Sequence, residues 1–250
     1  MNDSSEDIQT AQDAQEPQQA TSLISSIRNN AMLLGLFALG CTAIIAGTYL
    51  STADRIAIEK KQAELKALLE IVPRDQYDND LLNSSVVTLH EQLGLRDERP
   101  VFLSTSNGIA KTLIYSATAR EGYSGDIDFI IGVNIDDNSI AGVRVLSHKE
   151  TPGLGDRIEV RKSPWITRFN GKSLNNPTRD GWLVKKDGGQ FDAFTGATIT
   201  PRAMIKSIVN VLDHHSKYAN HYIERIVKAI ETQQNNKPIN YDAPPIGNES

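Results

Sequence analysis

The run from Ala31 to Leu50 contains no charged residue. Its 20 residues extend about 30 Å as a helix, which is enough to cross the hydrocarbon core of a bilayer. A cleaved secretory signal is the alternative, because Ser51-Thr52-Ala53 is an acceptable cleavage site. Acidic residues precede the run, however, and the run exceeds a typical signal core. We therefore predict one uncleaved transmembrane helix over residues 31–50.

Segments of different composition surround the predicted span. Residues 1–25 are rich in Gln, Ser and acidic residues, which predicts a disordered tail. Apolar residues recur at helical spacing in residues 52–72 and predict an amphipathic stem helix that stops before Pro73. Residues 232–250 are rich in Gln, Asn and Pro and predict a flexible tail. The remaining residues, 73–231, form the predicted globular domain.

Three segments of this domain carry strand signals. Apolar residues occupy every second position from 127 to 135. A turn at residues 136–139 leads to a returning strand over residues 140–147, and residues 112–119 form another strand. The two strands that flank the turn predict an antiparallel hairpin with one buried face.

Further turn and helix signals complete the domain. The Pro and Gly residues of segment 148–156 predict an irregular loop, and Ser163-Pro164 caps a short helix. Residues 182–186 and 190–194 flank Asp187-Gly188-Gly189, which is a hairpin-turn signal. Strands grouped apart from helices predict the α+β class: an antiparallel sheet with packed helices, anchored by one N-terminal transmembrane helix.

Residues 194–201 join a Gly-Ala turn to a predicted helix. Thr200 has the character of an N-cap and Pro201 that of the first helical residue. Apolar residues at helical spacing support the helix: Met204, Ile205, Ile208, Val209 and Leu212. Another helical stretch follows over residues 223–230. Thr198 then lies beside unpaired N–H groups at the positive end of a helix dipole, which favours a bound phosphate. A plain loop that enters a capped helix is the alternative interpretation.

Charge and cysteine content exclude several kinds of site. Charged residues are 23% of the chain and the net charge is −5, so no basic surplus exists to neutralise nucleic-acid phosphates. The single cysteine, Cys41, has no partner for a disulfide, a zinc site, an iron–sulfur cluster or covalent haem. His214 and His215 lack a clear carboxylate companion, so a partly solvated helix face is favoured over a metal site. His148 has the character of a surface loop residue. A redox role therefore needs another carrier, and we expect neither a metal nor a nucleic-acid partner.

Three segments together resemble a known family. They are Gly122-Tyr123-Ser124-Gly125, the loop from His148 to Asp156, and Phe194-Thr195-Gly196-Ala197-Thr198-Ile199-Thr200. In order and spacing they resemble the FMN-binding domain shared by the G subunit of the Rnf (also called Rsx) electron-transport complex and the C subunit of the sodium-pumping NADH:quinone reductase. Additional segments favour the Rnf G subunit, among them Ser163-Pro164-Trp165-Ile166-Thr167 and Lys185-Lys186-Asp187-Gly188-Gly189.

The resemblance implies FMN as the cofactor, joined through its phosphate to Thr198 by a phosphoester, with no catalytic residue in the protein itself. Thr195, Gly196 and Ala197 complete the motif around that threonine, and its small residues leave room for another molecule to approach. The family also implies a separate flavin transferase that uses FAD as donor and reads this motif. Asp192 stands at the matching aspartate position.

A loop of six residues is the second candidate binding element. It consists of Glu150, Thr151, Pro152, Gly153, Leu154 and Gly155. We expect it to form a wall beside the flavin, because Gly and Pro let the backbone approach the ring and Leu154 supplies apolar cover. Arg202 and Lys206 are candidates for electrostatic help to the phosphate, although exposed helix charge is the simpler interpretation.

The resemblance also implies a role and a location. The expected protein is a single-pass subunit of the bacterial inner membrane that carries electrons on FMN within an ion-translocating oxidoreductase complex. Its expected partners are the other Rnf subunits, the flavin transferase and the lipid bilayer. The family places the FMN-binding domain in the periplasm and residues 1–25 in the cytoplasm, whereas the Lys and Arg count weakly favours the opposite orientation. Alternatives are the quinone-reductase C subunit and a membrane-anchored binding domain without flavin.

Overall fold

The computed structural model describes residues 16–235. Most of the two predicted tails, residues 1–15 and 236–250, therefore lies outside the described residues. The chain separates into two compact units, Met1–Glu59 and Lys60–Ser250.

Helix α1 (Glu16–Ile71) supplies the described part of the N-terminal unit and the first residues of the second unit. It contains both the predicted span and the predicted stem. It also includes residues 16–25, which were expected to belong to a disordered tail. Within the described residues, α1 is the one helix long and apolar enough to cross a membrane, and its large apolar side chains from Ile27 to Leu50 are exposed.

The second unit is built on a five-stranded antiparallel sheet in which neighbours in sequence are neighbours in space. Its strands are β1 (Ser85–Thr88), β2 (Arg99–Ser106), β3 (Ile109–Gly122), β4 (Gly125–Asn134) and β5 (Ile140–Ser147). Helix α2 (Ile199–Asn235) packs on one face of the sheet, where it contacts β3 most extensively. The predicted α+β class with an antiparallel sheet is confirmed.

Both faces of the sheet are buried, so the predicted single buried face is wrong. On one face, the alternating side chains of β4, including Phe129 and Ile131, join the core beneath α2. On the other face, Ile130 packs with Leu68 and Ile71 from the last turns of α1. The alternation pattern missed this second layer because the apolar residues that cover it lie about 60 positions earlier in the chain.

Between β5 and α2 the chain is irregular and contains four short 3₁₀ helices. They are Gly155–Ile158, Pro164–Phe169, Arg179–Gly181 and Lys185–Asp187. The Pro164–Phe169 helix is capped as predicted, since the Ser163 hydroxyl accepts a hydrogen bond from the Trp165 N–H at 3.1 Å. Trp165 is buried and its ring lies edge-on to that of Phe194, 5.0 Å between centroids. This packing fixes the segment that precedes α2.

The predicted hairpin around Asp187-Gly188-Gly189 is wrong. The chain does reverse there, with Gly188 at φ +90°, but the flanking residues form only one isolated parallel bridge, between Val184 and Phe191. A Cβ at Gly189 would lie 2.0 Å from the Leu183 carbonyl oxygen, so glycine permits a compact loop there. Asp187-Gly188-Gly189 correctly indicated a reversal of the chain, but the residues on either side of it do not form the two predicted strands.

Candidate functional site

Thr198 lies immediately before the first residue of α2, since that helix begins at Ile199. The Thr198 side chain is half-buried, and its carbonyl oxygen accepts a hydrogen bond from the Arg202 N–H at 3.4 Å. The prediction that Thr200 precedes the helix as its N-cap is wrong, because Thr200 lies in the first turn and is completely buried. Its hydroxyl instead donates a hydrogen bond to Glu150, in the loop after β5. Thr198 is thus the residue next to the free N–H groups of the helix start.

The turn that presents Thr198 is tight. The Ala197 N–H donates to the Phe194 carbonyl oxygen at 3.1 Å, and Gly196 has the left-handed φ of +83°. Thr195 and Gly196 are exposed at the tip of this turn, while Phe194 is buried beneath it. Because Phe194 is buried and the two residues at the tip of the turn are exposed, the backbone beside Thr198 is accessible to another molecule.

The Glu150 carboxylate joins the three segments on which the family resemblance rests. Glu150 is only 4% exposed. Its Oε1 accepts from the backbone N–H of Ser124 at 2.9 Å, and its Oε2 accepts from the Thr200 hydroxyl in a short hydrogen bond. The turn between β3 and β4, the loop after β5 and the start of α2 therefore meet at one side chain.

The rest of the predicted flavin-binding loop divides into an exposed part and a buried part. Residues 151–154 are exposed, whereas Gly155 is buried. A Cβ at Gly155 would lie 2.6 Å from Glu150 Oε2, and one at Gly196 would lie 3.3 Å from Leu154 Cδ2. The structure thus brings Leu154 beside the turn that precedes Thr198, and it turns Glu150 inward, away from the expected wall.

The expectation that His148 is a plain surface residue is wrong. Its Nδ1 accepts from the backbone N–H of Glu150 at 3.0 Å, and its Nε2 lies 3.0 Å from a carboxylate oxygen of Glu159. Hydrogen bonds from His148 and Arg161 lower the pKa of Glu159 against the opposing effect of burial. His148 therefore supports the loop from within the protein.

The charged groups near the turn at residues 194–198 are mostly paired. Asp192 contacts Lys185 at 2.7 Å and also bonds to Arg168, and the hydrogen bond from Lys185 lowers the pKa of Asp192. Arg202 donates twice to Asp187 at 2.6 Å, which lowers the pKa of that carboxyl. Lys206 pairs with Glu121 at 2.7 Å. Both basic residues that were candidates for electrostatic stabilisation of a phosphate, Arg202 and Lys206, therefore have acidic partners.

Two exposed apolar residues near this site were not singled out from the sequence. Tyr123 lies in the turn between β3 and β4, directly before Ser124, whose N–H donates to Glu150, and it is 68% exposed. Ile199, next to Thr198, is 46% exposed. Together with Leu154 they provide exposed apolar side chains on the three segments that meet at Glu150, and a planar ring system is covered by surface of this kind. The signal for both residues was their place in the motif segments, 122–125 for Tyr123 and 194–200 for Ile199.

The paired histidines of α2 are buried, so their interpretation as a partly solvated face is wrong. His215 Nδ1 lies 3.0 Å from the hydroxyl of Tyr115, and His214 Nε2 lies 2.9 Å from that of Tyr222. Burial lowers the pKa of each histidine to about 4. Within the described residues, no group of three or more His, Cys, Asp or Glu side chains is arranged to hold a metal ion.

Comparison with known proteins gives this arrangement a class. Residues 122–213 match the FMN-binding domain family, and residues 11–71 match the RnfG N-terminal region. The fold, the site and these matches define a protein with an FMN-binding domain that follows a long N-terminal apolar helix. The chain belongs to the family of G subunits of ion-translocating oxidoreductase complexes, which confirms the resemblance found in the sequence.

Three relatives, each named as the G subunit of an ion-translocating oxidoreductase complex, establish the family. The protein of Pseudomonas aeruginosa (strain UCBPP-PA14) is 48% identical over 188 residues, which cover 75% of this chain and 87% of that protein. That of Aliivibrio fischeri (strain ATCC 700601 / ES114) is 43% identical, with 74% and 89% covered. That of Vibrio vulnificus (strain YJ016) is 37% identical, with 87% and 97% covered. Among solved structures, NqrC of Shewanella oneidensis is 25% identical with a TM-score of 0.35, and the match covers 54% of this chain and 64% of that one.

Proposed function

We propose that this protein is the electron-carrying G subunit of a membrane-bound ion-translocating oxidoreductase complex, and that it holds FMN through a phosphoester to Thr198. The observation that carries the proposal is the position of that threonine. Its side chain follows an exposed left-handed glycine turn and directly precedes a long helix, within the segment that matches the FMN-binding domain.

The residues at this site fit FMN. A phosphate on Thr198 lies next to the N–H groups and the positive dipole end of α2. Thr195 and Gly196 are exposed at the tip of the turn, and Leu154, Tyr123 and Ile199 would offer exposed apolar side chains to a ring. When bound, FMN supplies one- and two-electron redox chemistry, while the chain supplies position and electrostatics.

Attachment needs a second protein. A threonine hydroxyl is a weak nucleophile at neutral pH, and within the described residues no histidine or carboxylate is hydrogen-bonded to the Thr198 hydroxyl as a base. In the proposed reaction the Thr198 oxygen bonds to the FMN phosphorus of FAD, the pyrophosphate bond breaks, AMP leaves and the hydroxyl proton is released. The exposed turn suits presentation to a flavin transferase, with Asp192 as the second element read. A covalent bond then keeps the cofactor at high effective concentration beside its electron partners.

The proposed location is the bacterial inner membrane, with α1 as the single anchor, the FMN-binding domain in the periplasm and residues 1–25 in the cytoplasm. The exposed apolar surface of α1 and the match of residues 11–71 to the RnfG N-terminal region support an anchor. The proposed partners are the other subunits of the complex, the flavin transferase and lipid. The weak charge asymmetry does not oppose export of a long domain.

The test is production of the full chain together with its flavin transferase, followed by denaturing electrophoresis under ultraviolet light. The wild-type band is expected to fluoresce, Thr198→Ala is expected to abolish that fluorescence, and Thr178→Ala, at an exposed threonine of the same domain outside the motif, is expected to keep it. Fluorescence that survives Thr198→Ala would place the bond elsewhere. A wild-type band without fluorescence would favour a binding domain that has lost its flavin.

A further inference from the structure

We infer that Glu150 is a positioning residue that sets the geometry of the attachment turn through Thr200, and that it does not contact the flavin. This inference rests on the proposed function, since it concerns how Thr198 is presented for modification. It changes the role expected for Glu150 from the sequence, where that residue belonged to a wall beside the cofactor.

Burial and hydrogen bonding separate Glu150 from the rest of its loop. Residues 151–154 are exposed, but Glu150 is 4% exposed and both of its carboxylate oxygens accept hydrogen bonds from inside the protein. The backbone is held as well, because the Glu150 N–H donates to His148 Nδ1 at 3.0 Å. Its hydrogen bonds therefore run to segments of the fold, which is the pattern of a support and not of a ligand contact.

Two glycines lie close to this carboxylate. A Cβ at Gly155 would lie 2.6 Å from Glu150 Oε2 and 3.0 Å from Thr200 Oγ1, and a Cβ at Gly122 would lie 3.0 Å from Glu150 Oε1. Each distance is shorter than ordinary carbon–oxygen contact. The family motif thus has glycine where the pair of Glu150 and Thr200 leaves no room for a side chain.

The contact with Thr200 connects this support to the proposed attachment residue. Thr200 is two residues beyond Thr198, in the first turn of α2, and it is completely buried. Fixing its side chain fixes the start of the helix, and with it the carbonyl, hydroxyl and N–H directions around Thr198. The same loop also places Leu154 against Gly196, on the other side of the attachment residue. Without the Glu150 contact, the loop and the helix start lose the side-chain hydrogen bond that joins them.

The test substitutions change either the hydroxyl that donates to Glu150 or the carboxylate that accepts from it. Thr200→Val keeps the shape of the side chain but removes the hydroxyl, so Glu150 loses one donor while the motif from Asp192 to Thr198 is unchanged. Thr200→Ser keeps the hydroxyl and tests rescue. Glu150→Gln keeps the size but replaces one acceptor oxygen by an NH₂ group, which cannot accept a hydrogen bond.

Asp78 supplies a matched control. Its carboxylate accepts from the Thr105 hydroxyl at 2.9 Å and from a backbone N–H, that of Asn107, so it has the same two kinds of donor as Glu150. It serves the junction of the segment after α1 with β2, far from Thr198 in sequence and bonded to none of the three motif segments. Asp78→Asn therefore disturbs the same two kinds of hydrogen bond, at an exposed carboxylate, without touching the proposed site.

The experiment measures the rate of flavin attachment to each full-length variant in detergent, with purified flavin transferase and FAD, by intact mass. We expect Thr200→Val and Glu150→Gln to slow attachment about fivefold, the factor that corresponds to one lost hydrogen bond of about 1 kcal/mol. Thr200→Ser and Asp78→Asn are expected to stay within about twofold of wild type. The fluorescence anisotropy of the attached flavin is expected to fall in Thr200→Val relative to these two controls.

The outcomes separate this inference from the proposed function. Wild-type protein that gains no flavin mass contradicts the proposed function itself. Wild-type protein that is modified, together with Thr200→Val modified at the same rate and with the same anisotropy, contradicts the positioning role alone. A thermal midpoint lowered equally by Thr200→Val and Asp78→Asn, with attachment slowed equally in both, shows a general stability effect and also overturns the inference.

Discussion

Leu154 Cδ2 lies 3.3 Å from the position that a Cβ would occupy on Gly196. The loop after β5 and the turn before α2 therefore touch through an exposed leucine and a glycine at φ +83°. Leu154 is thus brought to the turn that precedes Thr198, and it is the residue of this loop from which we expect apolar cover for a cofactor on Thr198.

Replacement of Leu154 tests that cover. Leu154→Ala is expected to leave the covalent yield at Thr198 within about twofold, since no hydrogen bond is lost, but to lower the fluorescence anisotropy of the bound flavin. The control is Leu82→Ala, because Leu82 has a similar exposure, 45% against 40%. Equal anisotropy in the two variants would show that Leu154 does not cover the ring.

Asp192 is expected to act in recognition by the transferase and not in stability. Asp192→Asn weakens ion pairs with Lys185 and Arg168 that are largely exposed and worth about 0–1 kcal/mol, so the thermal midpoint should change little. Attachment of flavin is expected to fall at least tenfold, which corresponds to the loss of about 1.4 kcal/mol of recognition energy.

The matched control for that variant is Asp187→Asn, because Asp187 is paired with Arg202 in a similarly exposed setting. Attachment to this variant is expected to stay near the wild-type rate. Equal loss in both variants would mean that general surface charge, and not the aspartate of the motif, is what the transferase reads.

The buried histidines make the domain sensitive to acid. The pKa of His214 and of His215 is about 4 in the folded protein against 6.5 in the unfolded chain. The unfolded state therefore binds more protons below pH 6.5, and stability is full above that pH and declines as the pH falls from 6.5 to 4. The expected loss is on the order of 1–3 kcal/mol per histidine.

Denaturant unfolding of the full chain in detergent measures this loss, because both tryptophans, Trp165 and Trp182, lie in the second unit and report its folding. The double variant Tyr115→Phe/His215→Leu removes both partners of one hydrogen bond and should reduce the pH slope by about half. The exposed histidine His221, changed to Gln, serves as control. An unchanged slope in the double variant would contradict the assignment.

The second face of the sheet gives a prediction about stability alone. A Cβ at Gly132 would lie 2.5 Å from Ile71 Cγ2, so Gly132→Ala is expected to destabilise the domain by about 1–3 kcal/mol through overpacking. Ile71→Ala in the same chain removes the Cγ2 methyl and should recover part of that loss, and the coupling is read from the double-mutant cycle. Strictly additive effects would mean that the two residues do not press on each other.

The sequence predicted the elements that depend on local pattern. The bounds of β5 match the prediction at both ends, the Ser163 cap forms, and β4 follows the alternation. Contacts between segments that lie far apart in the chain cannot be predicted from a local pattern. The second buried face depends on Leu68 and Ile71 of α1, and the spacing of apolar residues in β4 carries no information about those two residues.

The candidate site shows the same division. Thr198 and its turn were predicted from the helix start, but the start itself was placed two residues late, because Thr200 has the side chain of a cap and uses it on Glu150. Glu150 was found as part of a motif, yet its role depends on a donor 50 positions away. Residue type identified the members of the site, and only the fold shows which of them support the others.

Peptide mapping by mass spectrometry of the protein purified from its native membrane complex tests the bond to Thr198 directly. We expect the peptide containing Thr198 to carry the mass of FMN less one water, with fragment ions that place it on residue 198. An unmodified Thr198 in fully assembled native complex would show that this residue does not hold the flavin.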